Sequence, residues 1–347
     1  MLPLQGPVFA QTVAGRQQKV EVKLLAEKAA AQPGQTITLA LRQKITPGWH
    51  TYWINPGDSG EPTRIEWKLP QGAAAGPIQW PLPHAIPVGP LMNYGYSDEI
   101  LLLSDLKVPD TAAEGRLDIA ADVKWLVCKE ICIPEQGQVS LTLPVIDKAI
   151  SPRASADAPA IAEARKQIPE PTPWPAHFSK SGETLTLRVE QAAAKLPKDG
   201  KISFYPLEWG RINHAAPQTV TFDGGNLLIG LQQGDLGASD TAAALDGVLA
   251  VEGPGGERQG YSISATRSQA SLAPAASGVE NAAQGGGTPA SGGGLSFIVA
   301  LGFAVLGGAI LNLMPCVFPV LSLKALSLAR DADRKSTRLN SSHRTGS

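Results

Sequence analysis

The chain has 347 residues, enough for two domains with segments to spare. Lys plus Arg number 30 and Asp plus Glu 31, so no charge excess speaks for nucleic acid or for an acidic solvating tail. Three cysteines exclude a disulfide-rich scaffold, and abundant Gly and Pro with few aromatics favour short strands and turns over long helices.

The opening "MLPLQGPVFAQTVAG" has small residues around Val8-Phe9-Ala10, as at an export-signal cleavage site. It has no Lys or Arg before them, and Pro3, Gln5 and Pro7 break the apolar run. Residues 1–18 therefore read as a signal remnant or a disordered start. Residues 19–147 read as a β-sandwich built from "KVEVKLLAE", "QTITLALRQKI", "HTYWIN", "TRIEWKLP", "EILLLSDLKV", "RLDIAADVKWLV" and "GQVSLTLPV". The proline-rich stretch Trp80 to Pro90 is excluded from a central strand or a helix and is expected as a rigid, extended loop.

Residues 148–270 read as a second β-sandwich module after one short helix in "APAIAEARKQI". Its strands are "ETLTLRVE", "KISFYPL", "QTVTFDGGNLLIGL", "GVLAVEG" and "QGYSISATR", with a hairpin turn at Asp223-Gly224. The fold class is thus mainly β: two immunoglobulin-like β-sandwich modules, then a flexible linker over residues 271–294 and a transmembrane α-helix. The linker, with "GGGTPASGGG", would span roughly 25–30 Å as a random coil.

From Leu295 the chain is uncharged and apolar through Leu311, and about 20 such residues cross a bilayer. Residues 295–330 are expected as a membrane segment. Lys324 and Arg330 follow the apolar run, while its other flank has no basic residue nearer than Arg267, which puts the β modules outside the cytoplasm. Residues 331–347 include "DRKSTRLNSSH", which reads as translated adapter sequence and is set aside. On that reading the natural protein continues past Ala332.

"WLVCKEICIPEQG" holds two cysteines four residues apart, Cys128 and Cys132. They could be a structural staple, half of a metal site, or a redox pair. In an extended strand their separation would be about 13 Å, whereas a disulfide needs Cα atoms within about 7 Å. Lys129-Glu130-Ile131 must therefore turn if the sulfurs are to bond, and Pro134 blocks a simple continuation of the strand. Closing so short a loop stabilises by only about 2 kcal/mol, which argues against a mere staple. Zinc would need further ligands, and His50, His84 and His214 are scattered and read as surface or loop residues. Copper(I) could take the two thiolates with Met92. Lys129 and Glu130 read as solvated charges between the sulfurs. The third cysteine, Cys316, lies between Pro315 and Pro319 with Asn312 one turn away, a pattern that suits a broken helix lining a cavity at membrane depth.

"NLMPCVFPVLSLKAL" resembles the first membrane helix of the DsbD family of transmembrane thiol–disulfide reductases, and "WLVCKEICIPEQG" resembles the redox motif of that family's periplasmic N-terminal domain. The spacing of the cysteines, "GWHTYWINPGDSGEPT" and "IPVGPLMNYGYSDEILL" are most similar to the ScsB-like branch. The resemblance implies that Cys128 and Cys132 are the N-terminal redox pair and Cys316 the first membrane-domain redox cysteine, its partner on a later helix. It also implies a cap loop at "MNYGY", with Asn93, Tyr94 and Tyr96 as cap or lining residues and Tyr52 and His50 near the pair. No cofactor and no metal are implied beyond the cysteines.

The implied activity is protein-disulfide reduction at the bacterial inner membrane, with residues 1–294 in the periplasm. Electrons would pass from cytoplasmic thioredoxin through the membrane helices and a thioredoxin-like domain of the full-length protein to this module. The module would reduce periplasmic thioredoxin-fold proteins, those of cytochrome c maturation or disulfide isomerase-like partners. The alternatives are a Cu(I)-binding copper-tolerance module and a structural adaptor with an incidental disulfide.

Overall fold

The structure, a computed structural model, describes residues 18–270 apart from 198 and 240, and residue 272. The expected linker, the membrane segment and Cys316 lie outside the described residues. Among the described residues no helix is long and apolar enough to cross a membrane.

In chain order the first module contributes β1 (Val20–Ala26), β2 (Thr36–Ile45), β3 (His50–Gly57), β4 (Arg64–Lys68), β5 (Ala74–Ala75), β6 (His84–Val88), β7 (Leu91–Ser97), β8 (Glu99–Lys107), β9 (Gly115–Cys128) and β10 (Cys132–Val145). The helix α1 (Ala158–Lys166) follows. The second module contributes β11 (Glu170–Pro171), β12 (Ala176–Ser181), β13 (Thr184–Val189), β14 (Lys201–Pro206), β15 (Thr219–Asp223), β16 (Asn226–Gln232), β17 (Ala244–Glu252) and β18 (Arg258–Arg267).

Two sheets enclose the first core. One runs β1-β2-β8-β5, the other β10-β9-β3-β7-β6 with β4 alongside β9. Alternation sets the inward faces: Leu117, Ile119, Ala121, Val123, Trp125 and Val127 of β9 are buried in the core together with Leu39 and Leu41 of β2. β6 is a paired strand rather than a loop. It lies at the sheet edge, where Pro87 withdraws no hydrogen bond that a further strand would need. The same reason admits Pro134 inside β10, the opposite edge.

The second module is one hydrogen-bonded path of strands, not two separate sheets. A two-residue parallel pairing, His177 with Thr266 and Phe178 with Arg267, joins the β14-β17-β18 half to the β12-β13-β16-β15 half. Both halves bury one core, with Phe178, Leu187 and Ile229 against Phe204, Leu249 and Ile263. The hairpin between β15 and β16 turns through Gly224 and Gly225, with φ of 55° and 90°. Consecutive left-handed residues match the strand twist, and glycine adopts them without a side-chain clash.

Helix α1 opens the second module in the sequence reading but packs on the first. Its Ile161 and Ala164 bury against Leu25, Ala40, Leu101 and Leu103 on the outer face of the β1-β2-β8 sheet. The modules also share a core: Tyr205, Val248 and Ala250 join the cluster that holds Trp53, Leu82 and Tyr94. Asn55 Nδ2 donates to the Pro206 carbonyl at 2.8 Å, and Arg258 Nη2 donates to that of Pro83 at 2.6 Å.

A nine-residue helix is marginal alone and lives on this apolar seam. Ile161→Ala should lower chain stability by about 2–4 kcal/mol through the cavity it leaves. Denaturant unfolding followed by circular dichroism reads that loss as a lower midpoint.

Candidate functional site

The site grows from the hairpin of β9 and β10. Cys132 stands directly opposite Cys128, with Cα atoms 4.2 Å apart and the two sulfurs bonded. That approach suits a pair not joined by backbone hydrogen bonds, the closer of the two antiparallel pair types. Lys129-Glu130-Ile131 supply the required turn, in which the Lys129 amide donates to the Ile131 carbonyl at 3.3 Å. The two sulfurs differ in access: Cys128 is 3% exposed, whereas Cys132 lies on the surface.

Pleating decides which side chains share their face. On β9 and β10 the odd-numbered residues point into the core, so Cys128 and Cys132 point outward. His50 of β3 pairs with Cys128 and therefore shares that face. Tyr52, two residues on, shares it too, and its hydroxyl lies 3.5 Å from Cys132 Sγ. The His50 and Tyr52 rings meet edge to face at 5.2 Å. Asn93 and Gly95 of β7 follow the same parity, since Gly95 pairs with Tyr52.

The other two aromatic residues expected at the cap face the opposite way. Tyr96 pairs with Thr51, on the core side of β3, and its hydroxyl donates to the Pro81 carbonyl at 2.7 Å. Tyr94 meets Trp53 at 6.4 Å, Tyr205 at 4.7 Å and His214 at 5.3 Å. Both tyrosines are buried in the core, and burial raises both phenols above their ordinary pKa. The "MNYGY" stretch is strand β7, not a loop over the sulfurs. Met92 packs partly buried against the same core, on the face away from the pair.

The segment that lies over Tyr52 is Asp58-Ser59-Gly60. A Cβ on Gly60 would sit 2.3 Å from the Tyr52 ring, and Gly60 has φ of 103°, so both contact and backbone demand glycine. The Ser59 amide and hydroxyl both donate to Asn93 Oδ1 at 3.1 Å. Asp58 Oδ2 accepts from the Met92 amide at 2.7 Å, and its Oδ1 meets His214 Nδ1 at 2.9 Å. Tyr52 is buried on an outward face because this segment folds over its ring, and His50, also buried, packs against Tyr52. Burial raises the Tyr52 phenol, and a hydrogen bond with Ser59 partly offsets the rise. The sequence reading set His50 and His214 on the surface or in loops, but the fold buries both side chains.

Cys128, Cys132, His50, Tyr52 and Asn93 are thus brought to one face, and Tyr94 and Tyr96 are not. Asp58, Ser59, Gly60 and His214 are additional. The first three lie inside the quoted "GWHTYWINPGDSGEPT", but no local spacing marks His214. Lys129 and Glu130 are exposed in the turn, and the Lys129 chain runs past Gly48 of the Pro47-Gly48 turn. A disulfide joining a buried and an accessible sulfur, with a phenol against the accessible one, is suited to thiol exchange.

Comparison with known proteins agrees. Residues 21–144 match the family model described as "Thiol:disulfide interchange protein DsbD, N-terminal". The crystal structure of the N-terminal periplasmic domain of ScsB from Proteus mirabilis aligns at 19% identity with a TM-score of 0.50, covering 75% of this chain and 98% of that one. A protein of unknown function from Porphyromonas gingivalis aligns at 12% identity over 72% of this chain and 100% of its own, with a TM-score of only 0.22. No curated protein matches the chain.

Burial lowers the His50 pKa below its ordinary value, and the ring is held neutral. A depressed histidine stabilises the fold above its unfolded pKa of about 6.5 and loses that contribution as pH falls. His84, depressed by burial and by Arg258, acts in the same window. Between pH 7.5 and 5 the melting temperature should therefore fall, and His50→Gln should shrink that fall, as read by thermal unfolding of both proteins at each pH.

Proposed function

We propose that the chain is the periplasmic exchange module of a membrane protein-disulfide reductase, a reading supported by the match of residues 21–144 to the DsbD N-terminal family model. The observation that carries the reading is the bond between exposed Cys132 and buried Cys128 at a hairpin end. Periplasmic location is supported by the fold shared with the ScsB domain and by the basic residues that follow the apolar segment.

In the reduced module the Cys132 thiolate attacks one sulfur of a partner disulfide, and the partner's other sulfur leaves as a thiolate. The Cys128 thiolate then attacks Cys132 Sγ and releases the second partner sulfur. Two electrons pass from the module to the partner, whose two thiolates take up two protons, and Cys128–Cys132 is left oxidised. Proximity makes the second attack intramolecular. Tyr52 lies against the attacking sulfur, His50 stands opposite the resolving one, and Asn93 holds the covering segment. The partners are thioredoxin-fold proteins carrying an accessible disulfide. Electrons return through the membrane segment, with Cys316 as its first redox cysteine, by way of a thioredoxin-like domain and ultimately from cytoplasmic thioredoxin. The reaction needs no bound cofactor.

In a Cys316→Ser background, Cys128→Ser should trap a mixed disulfide with a thioredoxin-fold protein whose resolving cysteine is replaced by serine and whose remaining cysteine carries a thionitrobenzoate leaving group, because neither partner then holds a thiol that resolves it. Cys132→Ser should trap at least about tenfold less, since the remaining thiol is buried. Non-reducing electrophoresis reads the adduct. Equal trapping by both variants would reverse the assignment of attacker, and no adduct from either would sink the exchange reading.

A further inference from the structure

The contacts around the covering segment lead out of the first module. Each of its residues is fastened to something different. Asp58 meets His214 of the second module, Ser59 meets Asn93 of β7, and Gly60 lies on the Tyr52 ring. Tyr52 in turn places its hydroxyl beside Cys132 Sγ. His214 is itself fixed: its side chain is 2% exposed, its ring stands edge to face against Tyr94, and its Nδ1 meets the Asp58 carboxylate at 2.9 Å. Its Nε2 is buried and has no hydrogen-bond partner among the described residues. Among the described residues the ring's polar attachment runs through Asp58, and a carboxylate that also accepts from the Met92 amide has little freedom to move.

We infer that His214 is a positioning residue for the exchange reaction: from the second module it locks the Asp58–Gly60 segment onto Tyr52, and so holds the Tyr52 hydroxyl where it can donate to the Cys132 thiolate. The second module then contributes to the chemistry of the sulfurs without touching them. A phenol aimed at a thiolate favours the charged form and lowers the thiol pKa. A Tyr52 ring free to swing loses that effect, whether it is released at Gly60, at Ser59 or at Asp58. The inference rests on the exchange reading only in taking Cys132 as the working sulfur.

Ionisable groups around the pair are His50 and Tyr52 on β3, Lys129 and Glu130 in the turn, and Asp58 in the covering segment; a change at His214 removes none of them and acts on the sulfur by freeing Asp58 and, through the segment, Tyr52. The test is the pH profile of Cys132 alkylation by iodoacetamide in the reduced full chain. Trypsin cleaves after Lys129, so Cys128 and Cys132 fall on separate peptides, and mass spectrometry reads each alone. His214→Phe keeps a ring against Tyr94 and removes the bond to Asp58. It should move the Cys132 midpoint upward by about one pH unit, a roughly tenfold loss of thiolate below both midpoints. Tyr52→Phe should produce the same shift, and the double variant should add nothing to it, as for residues acting along one path. His214→Gln, which retains a donor for Asp58, should recover most of the parent profile.

An unchanged profile in His214→Phe, or a double variant whose shifts sum, would overturn the assignment. Should His214→Phe unfold the chain, Asp58→Ala removes the same bond from within the first module, and an unchanged profile there is equally fatal. No partner protein enters this measurement. A module that shows the shift but reduces no partner disulfide would sink the reductase reading and leave His214 in its role.

Discussion

The site depends on one cross-strand pair, His50 opposite Cys128, which is the whole of the register between β3 and β9. Because a one-residue slip reverses every side chain on a strand, that pair decides which aromatics of "HTYWIN" and "MNYGYS" see the sulfurs. With it in place, His50 and Tyr52 share the face of the disulfide, while Thr51 and Trp53 face the core together with Tyr94 and Tyr96. A one-residue slip of β3 would put Thr51 and Trp53 on the face of the disulfide and turn His50 and Tyr52 into the core. The core forbids this, since Trp53 and Tyr94 are each 1% exposed in the cluster that closes the first module. Packing on one side of the sheet thereby fixes chemistry on the other.

Unequal access of the two sulfurs follows from the same arrangement. Both point outward, yet Cys128 sits inside the sheet next to β3, while Cys132 begins the edge strand β10. An edge position leaves its sulfur reachable by another protein. A disulfide with one sulfur in the ladder and one at the border can be attacked from outside at only one end. Directionality of exchange is thus a consequence of strand order, requiring no special residue at the turn.

Much of this was legible in the sequence, and the rest was hidden for definable reasons. The strands are visible because alternation over "QTITLALRQKI" and "RLDIAADVKWLV" directly reflects one buried face. The turn between the cysteines follows from the reach of two residues. The faces of Tyr94 and Tyr96 are not legible, because parity within a strand says nothing of which parity points inward until the partner is known. β6 and the start of β10 were obscured by Pro87 and Pro134, whose cost depends on whether a further strand needs the missing donor. Helix α1 shows its apolar stripe but not which module receives it. His214 carries no local pattern at all, for its partner Asp58 lies 156 residues away.

The two levels of the site are encoded at different ranges, and this separates bond formation from bond reactivity. The disulfide is local: three turn residues and one ladder pair bring the sulfurs together, and nothing from the second module is needed for them to meet. The environment of Cys132 is non-local, assembled from β3, the Asp58–Gly60 segment, β7 and His214. Sequence change in the second module can therefore tune how readily the sulfur reacts while leaving the pairing intact, and change in the hairpin can do the reverse. Bond geometry and the surroundings of the accessible sulfur thus answer to different parts of the fold.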